Sequence, residues 1–159
     1  MSEAVDISLS VNGEAVTRRV PARQNLVDFL REELGLQGTR AGCEHGACGA
    51  CTVRIDGAIA RACLTLAAQL DGAKVETIEG LSQSGEIVPL QAAFHERNAV
   101  QCGFCTAGML VTAAELLRLP QPPSRAEIRD FLSGNYCRCT GYHAIIDAID
   151  AACRGKARE

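Results

Sequence analysis

Ile7, Leu9 and Val11 alternate with polar positions up to Asn12-Gly13, and Ala15-Val16-Thr17 resumes beyond that dipeptide. Period-two alternation around a pair suited to positive φ predicts a β-hairpin with a type I′ turn. From Asn25 to Leu34 the apolar residues Leu26, Phe29, Leu30 and Leu34 fall at helical spacing, and Gly35 is placed to end the helix. Alternation returns at Thr52-Val53-Arg54-Ile55, which runs into Asp56-Gly57, and again at Lys74-Val75-Glu76-Thr77-Ile78. These stretches predict a second hairpin and a further short strand. The first half therefore reads as a small sheet with one helix.

After Gly80 the period changes. Pro89 to Val100, Phe104 to Leu119, Ser124 to Leu132 and Tyr142 to Cys153 all carry helical spacing. Pro89 suits a first turn, Pro120 stops the second of these helices, and Ser124-Arg-Ala-Glu127 has the form of a capping box. The fold class expected is α+β, with a mixed sheet domain over residues 1–80 and an all-α domain over 81–159. Leu81-Ser-Gln-Ser-Gly-Glu86 is the expected connection between them.

Composition narrows the function classes. The chain of 159 residues carries 16 Lys+Arg against 19 Asp+Glu, a net charge of -3, so no basic excess points to nucleic acid or an anionic membrane. No segment approaches the roughly 18 apolar residues needed to span a bilayer, and MSEAVDISLSVNGEAV lacks the basic start and apolar run of a secretory signal. The expected location is the cytoplasm. There, nine cysteines argue for metal ligation rather than a disulfide framework, since cytosolic thiols stay reduced and an odd number cannot pair fully.

Eight of the nine fall into two quartets. Cys43, Cys48 and Cys51 form C-x4-C-x2-C with Cys63 downstream, the spacing of plant-type 2Fe-2S sites. The residues between them are small or glycine, so the backbone can wrap closely and direct N–H groups at sulfur. Cys102 and Cys105 form C-x2-C at the start of one expected helix, and Cys137 and Cys139 form C-x-C ahead of another. Helix N-termini favour thiolates and anionic clusters. Four thiolates also make a tetrahedral zinc site, and for the second quartet spacing alone leaves zinc open.

Cys153 closes an apolar helical stripe with Ile145, Ile146 and Ile149 and reads as a small core residue. His45 lies between ligands already complete without it, and reads as an exposed loop histidine. His95 and His143 have no ligand spacing to each other, while Asp147 and Asp150 read as a solvated helix face. No G-x-G-x-x-G, P-loop, G-x-S-x-G or H-E-x-x-H is present, so no catalytic residue is expected in this chain. Its expected chemistry is one-electron transfer through clusters.

Three stretches carry a family resemblance: Gly42-Cys-Glu-His-Gly-Ala-Cys-Gly-Ala-Cys-Thr52, Gln101-Cys-Gly-Phe-Cys-Thr106 and Asn135-Tyr-Cys-Arg-Cys-Thr-Gly-Tyr142. Together with Leu26 to Arg31 and Leu34 to Arg40 they resemble the iron-sulfur small subunit of the molybdenum hydroxylase, or xanthine oxidase, family. The resemblance implies an N-terminal β-grasp, 2Fe-2S ferredoxin-like domain followed by a four-helix 2Fe-2S-binding domain. It raises the second quartet from plausible zinc to iron-sulfur. It also implies a large partner subunit holding a molybdopterin cofactor and a medium one holding FAD, in a dimer of heterotrimers. Electrons would pass from molybdenum through the C-terminal and then the N-terminal cluster to flavin. Gln101 and Cys139 match family positions that approach the pterin. Ala107 departs from the family's proline after Cys-Thr, though alanine also favours a helix start. Arg138, between two ligands, either raises the potential of its cluster or contacts a partner.

Two functions follow from different classes. One is the small subunit of a dehydrogenase or hydroxylase acting on an N-heteroaromatic, purine or aldehyde. The other is a free two-cluster ferredoxin-like carrier, suggested by the lack of any pterin or flavin motif in the chain. Gln101, Phe104, Met109 and Leu110 are expected to be available for docking, which favours the first.

Overall fold

The computed structural model describes residues 3–156. Met1 and Ser2, part of the signal-peptide reading, and residues 157–159, the end of the expected second domain, lie outside it.

Strands β1 (Ala4–Val11) and β2 (Glu14–Pro21) form the first hairpin, with Ala4 opposite Pro21 and Val11 opposite Glu14. Asn12 and Gly13 take φ of 52° and 86°, the left-handed pair that a type I′ turn requires. Strands β3 (Thr52–Ile55) and β4 (Ala58–Arg61) turn through Asp56 and Gly57 in the same way. Strand β5 (Lys74–Glu76) enters between the hairpins, parallel to β1 and antiparallel to β3, so the sheet order is β2-β1-β5-β3-β4. That pairing joins residues far apart in sequence, and alternation cannot specify it.

Across one face of the sheet lies helix α1 (Leu26–Asp28), whose first turn is capped by Asn25 Oδ1 accepting the Asp28 N–H at 2.8 Å. It continues as a π-helical turn over Phe29–Glu33 and ends where Gly35 takes φ of 69°. The buried set Leu26, Val27, Phe29 and Leu30 suits either winding, so apolar spacing could not announce the wider one. These side chains meet Ile7, Leu9, Val11, Val53 and Val75 in the first core.

The fifth strand stops two residues short of the expected Ile78. Thr77 is extended and Ile78–Gln83 forms α2, so the first three residues of the stretch expected as a connection, Leu81 to Gln83, are helical. The start of α2 is held by the sheet domain: Asn12 Oδ1 accepts the Thr77 N–H at 2.8 Å, and Glu79 Oε1 accepts the Gly38 N–H at 2.7 Å. Its Leu81 is buried in the second core. Beyond it come α3 (Val88–Glu96), α4 (Thr106–Leu117), α5 (Arg125–Phe131) and α6 (His143–Lys156). Ser124 and Glu127 close the capping box of α5, with the Glu127 N–H donating to Ser124 Oγ and the Ser124 N–H to Glu127 Oε2. Helix α4 is buried around most of its circumference, from Gly108 through Ala114, as a central helix must be.

Two contacts lock α4 to the sheet domain. Gly108 packs against the Gly49 carbonyl so closely that a Cβ there would lie 2.2 Å from that oxygen. Arg54 on β3 is fully buried, donating from Nε to Glu115 on α4 at 2.9 Å and from Nη2 to Glu86 at 2.8 Å. Glu76 on β5 takes a further bond from Nη1 at 3.3 Å. Burial alone would lower the Arg54 pKa, but the bonds to Glu86 and Glu115 outweigh it and raise it, so the guanidinium stays charged. Arginine at an alternating strand position gave no hint of this, because the strand is covered on both faces.

Candidate metal centres

The first quartet lies on the loop between α1 and β3, with Cys63 following β4. Glu44, Gly46 and Gly49 take φ of 57°, 83° and 73°, curling this loop into a succession of inward turns. Leu64 fills the space a side chain at Gly46 would need, and the Gly134 carbonyl fills that at Gly49. The curl aims backbone donors at sulfur: the Cys48 N–H donates to Cys43 Sγ at 3.3 Å. With the N–H groups of His45 and Ala47 adding to that of Cys48, the Cys43 thiol is lowered to about 6. Cys51 is the most buried of the four, and burial, with Cys63 and Cys48 nearby, pushes it up to about 11. His45 is exposed, its Nδ1 2.6 Å from the Cys43 carbonyl, as expected of a loop histidine.

The second quartet brings the loop before α4 against the loop before α6. Cys102 is lowered by the Phe104 N–H and by Cys139, and Cys139 is raised by its hydrogen bond with Cys102. Burial, then Cys137, pushes Cys105 up to about 12. Burial also opposes ionisation of Cys137, but hydrogen bonds from Thr140 prevail and lower it; the Thr140 N–H lies 3.4 Å from its sulfur. Cys102 and Cys139, 37 positions apart in the chain, and Cys105 and Cys137, 32 apart, are thus interacting pairs in space.

Among the described residues, no group of three or more His, Cys, Asp or Glu side chains is gathered as a site for a metal ion. The thiols meet pairwise: Cys43 with Cys48 and Cys51 with Cys63, then Cys102 with Cys139 and Cys105 with Cys137. A 2Fe-2S cluster takes two protein ligands on each iron, so a paired, all-thiol donor set fits it. Backbone N–H groups turned toward Cys43, Cys102 and Cys137 favour the anionic ligands such a cluster needs. Bound there, each cluster supplies one-electron oxidation and reduction.

Exposure differs between the sites. Gln101, Cys102 and Cys139 are exposed, and Phe104 is 45% exposed beside them. Met109 and Leu110, expected at a docking surface, are instead buried in the second core because α4 is covered around most of its circumference. At the first site Leu64 is 63% exposed. Arg138 is exposed, Cys153 is buried in the second core, and His95 and His143 are exposed. Asp147 and Asp150 are half-buried and paired with Arg125 and Arg154 rather than simply solvated.

Residues that spacing did not single out join the two sites. The Gly49 carbonyl, between Cys48 and Cys51, accepts from Thr52 Oγ1 at 2.6 Å and from the buried Asn135 Nδ2 at 3.1 Å. The Tyr136 N–H donates to the Cys48 carbonyl at 2.8 Å. Arg61 bridges from Thr52 Oγ1 to the Gly134 carbonyl, and Thr112 Oγ1 sits 3.1 Å from Asn135 Oδ1. Tyr142 Oη accepts the Cys137 N–H at 2.8 Å and donates to the Asn135 carbonyl at 3.1 Å. Asn135 and Tyr142 stand within the third stretch that carries the family resemblance, the one signal in the sequence that could have marked them.

A ferredoxin-like sheet domain and a helical domain, each presenting four thiols among backbone donors, define a two-site iron-sulfur protein. Residues 9–80 match the 2Fe-2S iron-sulfur cluster binding domain, and residues 77–150 match the [2Fe-2S] binding domain. The chain is 52% identical to the nicotine 6-hydroxylase small subunit of Paenarthrobacter nicotinovorans, over 93% of this chain and 89% of that one. It is 53% identical to the caffeine dehydrogenase subunit gamma of Pseudomonas sp. (strain CBB1), over 90% and 87%. Its fold matches a chain of quinoline 2-oxidoreductase from Pseudomonas putida 86 with a TM-score of 0.89 at 51% identity, covering 99% of this chain and 98% of that chain. The chain belongs to the iron-sulfur small subunits of the molybdenum hydroxylase, or xanthine oxidase, family. Its role is electron transfer within an oxidoreductase complex.

Proposed function

We propose that this chain is the small subunit of a molybdenum-dependent dehydrogenase or hydroxylase, relaying electrons from a molybdopterin site in a large subunit to FAD in a medium subunit. Cys43, Cys48, Cys51 and Cys63 hold one 2Fe-2S cluster, and Cys102, Cys105, Cys137 and Cys139 hold the other. The substrate of the assembly is an N-heteroaromatic, a purine or an aldehyde, the first two being the chemistry for which the nicotine, quinoline and caffeine enzymes are named. The observation that carries the proposal is the exposure of Gln101, Cys102 and Cys139 together with Phe104, which supports a second site built to meet a partner. Gln101 and Cys139 approach the pterin on this reading. With it go a division of the chain at residue 80, assembly as a dimer of heterotrimers and a cytoplasmic location. No helix among the described residues is long and apolar enough to cross a membrane.

Purification of the native protein tests the assembly. The expected result is two larger chains with molybdopterin and FAD. A redox-active species eluting alone near 16.9 kDa would contradict it and support a free two-cluster carrier.

A further inference from the structure

Tyr142 stands immediately before α6 with φ of 65°, a left-handed backbone that a bulky L-residue adopts only against steric resistance. Helical spacing placed it as the first residue of that helix, but the helix begins at His143. In this conformation its phenol lies over the segment that leads into the second site. There one hydroxyl accepts the N–H of Cys137 and donates to the carbonyl of Asn135, at 2.8 and 3.1 Å.

The same three-residue segment faces the first site from its other side. Asn135 Nδ2 donates to the Gly49 carbonyl and the Tyr136 N–H to that of Cys48. The Cys137 sulfur meanwhile takes donors from Thr140 and the Cys139 N–H, not from its own amide. The amide of Cys137 is therefore committed to the phenol, and the phenol ties that residue to Asn135, whose side chain reaches the Gly49 carbonyl of the first site.

We propose that Tyr142 is a positioning residue of the second cluster site, its hydroxyl fixing Cys137 through the backbone amide and so helping to set that cluster's reduction potential. The inference rests on the reading that Cys102, Cys105, Cys137 and Cys139 hold a cluster, and it does not depend on the identity of the partners. Donors free to turn toward cluster sulfur favour the more negative, reduced form. Tyr142→Phe keeps the ring but removes the acceptor, leaving the Cys137 amide as such a donor.

The test is a redox titration of the purified native assembly, followed by electron paramagnetic resonance. In Tyr142→Phe, the iron-sulfur signal that Cys105→Ser abolishes should show a raised midpoint and altered g values, while the other stays in place as an internal control. Tyr142→Leu, which also removes the ring, should perturb the g values of that same signal more strongly. Unchanged or lowered midpoints in Tyr142→Phe, even with a reduced melting temperature, would overturn the proposal and leave the tyrosine a packing residue. A displacement of both signals together would overturn it too. Absence of a second signal from the unsubstituted protein would instead sink the cluster assignment on which the proposal stands.

Discussion

Cys48→Ser and Cys105→Ser are each expected to abolish one iron-sulfur signal, and a different one. Serine keeps the shape of the side chain but replaces a soft, readily ionised thiol with a hard hydroxyl that is a poor ligand for the cluster irons. Cys48 is paired with Cys43, and Cys105 with Cys137, so each substitution strips one member from a separate set of thiols. Iron should fall by about two atoms per chain in either variant, the content of one 2Fe-2S cluster. The surviving signal should keep its g values, since no cysteine is shared. Paramagnetic resonance of the reduced proteins reads the result, and loss of the same signal in both variants would refute the division into two sites.

Gly108→Ala should destabilise the chain although alanine is the better helix former by about 1 kcal/mol. The added methyl would lie 2.2 Å from the Gly49 carbonyl oxygen and 3.1 Å from Ala50 Cα, and both obstacles are backbone. Relief requires α4 to move away from the loop that carries Cys48 and Cys51. Overpacking of this kind costs about 1–3 kcal/mol, and a clash with main chain belongs at the upper end. A net loss of about 2 kcal/mol corresponds to a melting point lower by about 4–8 °C in a chain of this size. Gly155→Ala is the matching control, because nothing lies within 4 Å of its added methyl on α6. There the same change should be neutral or mildly stabilising. Thermal unfolding followed by circular dichroism separates the two, and equal behaviour would show that the Gly108 contact is not close in solution.

Local elements were readable because local chemistry sets them. Asn12-Gly13 and Asp56-Gly57 need left-handed backbone in either context, and Ser124 with Glu127 closes a cap whatever packs on the helix. The parallel pairing of β5 with β1 was not readable, since it depends on contacts more than sixty residues apart. Nor was the early end of β5: Lys74 to Ile78 alternates like a strand, but Thr77 is taken by Asn12 and Ile78 turns into α2.

The sites divide in the same way. Spacing alone pointed to the first quartet, because three of its ligands share one loop and C-x4-C-x2-C describes how that loop curls, with only Cys63 coming from beyond β4. The second quartet joins two loops, so its spacing records only half the site twice, and the family resemblance had to supply the rest. Between the quartets lie groups with no sequence signature of their own: the Gly49 carbonyl, Asn135 Nδ2, the Tyr136 amide and Arg61. They work through backbone atoms or from scattered positions, and only the fold brings them together. Gly108 and Arg54 hold the same interface from other positions.

Metal and sulfide analysis of the native protein, read with its visible spectrum, bears most directly on the central claim that each quartet holds a 2Fe-2S cluster. About four iron atoms and about four acid-labile sulfides per chain are expected, with the visible absorbance of two such clusters. Stoichiometric zinc in place of iron, without sulfide or visible absorbance, would contradict that claim.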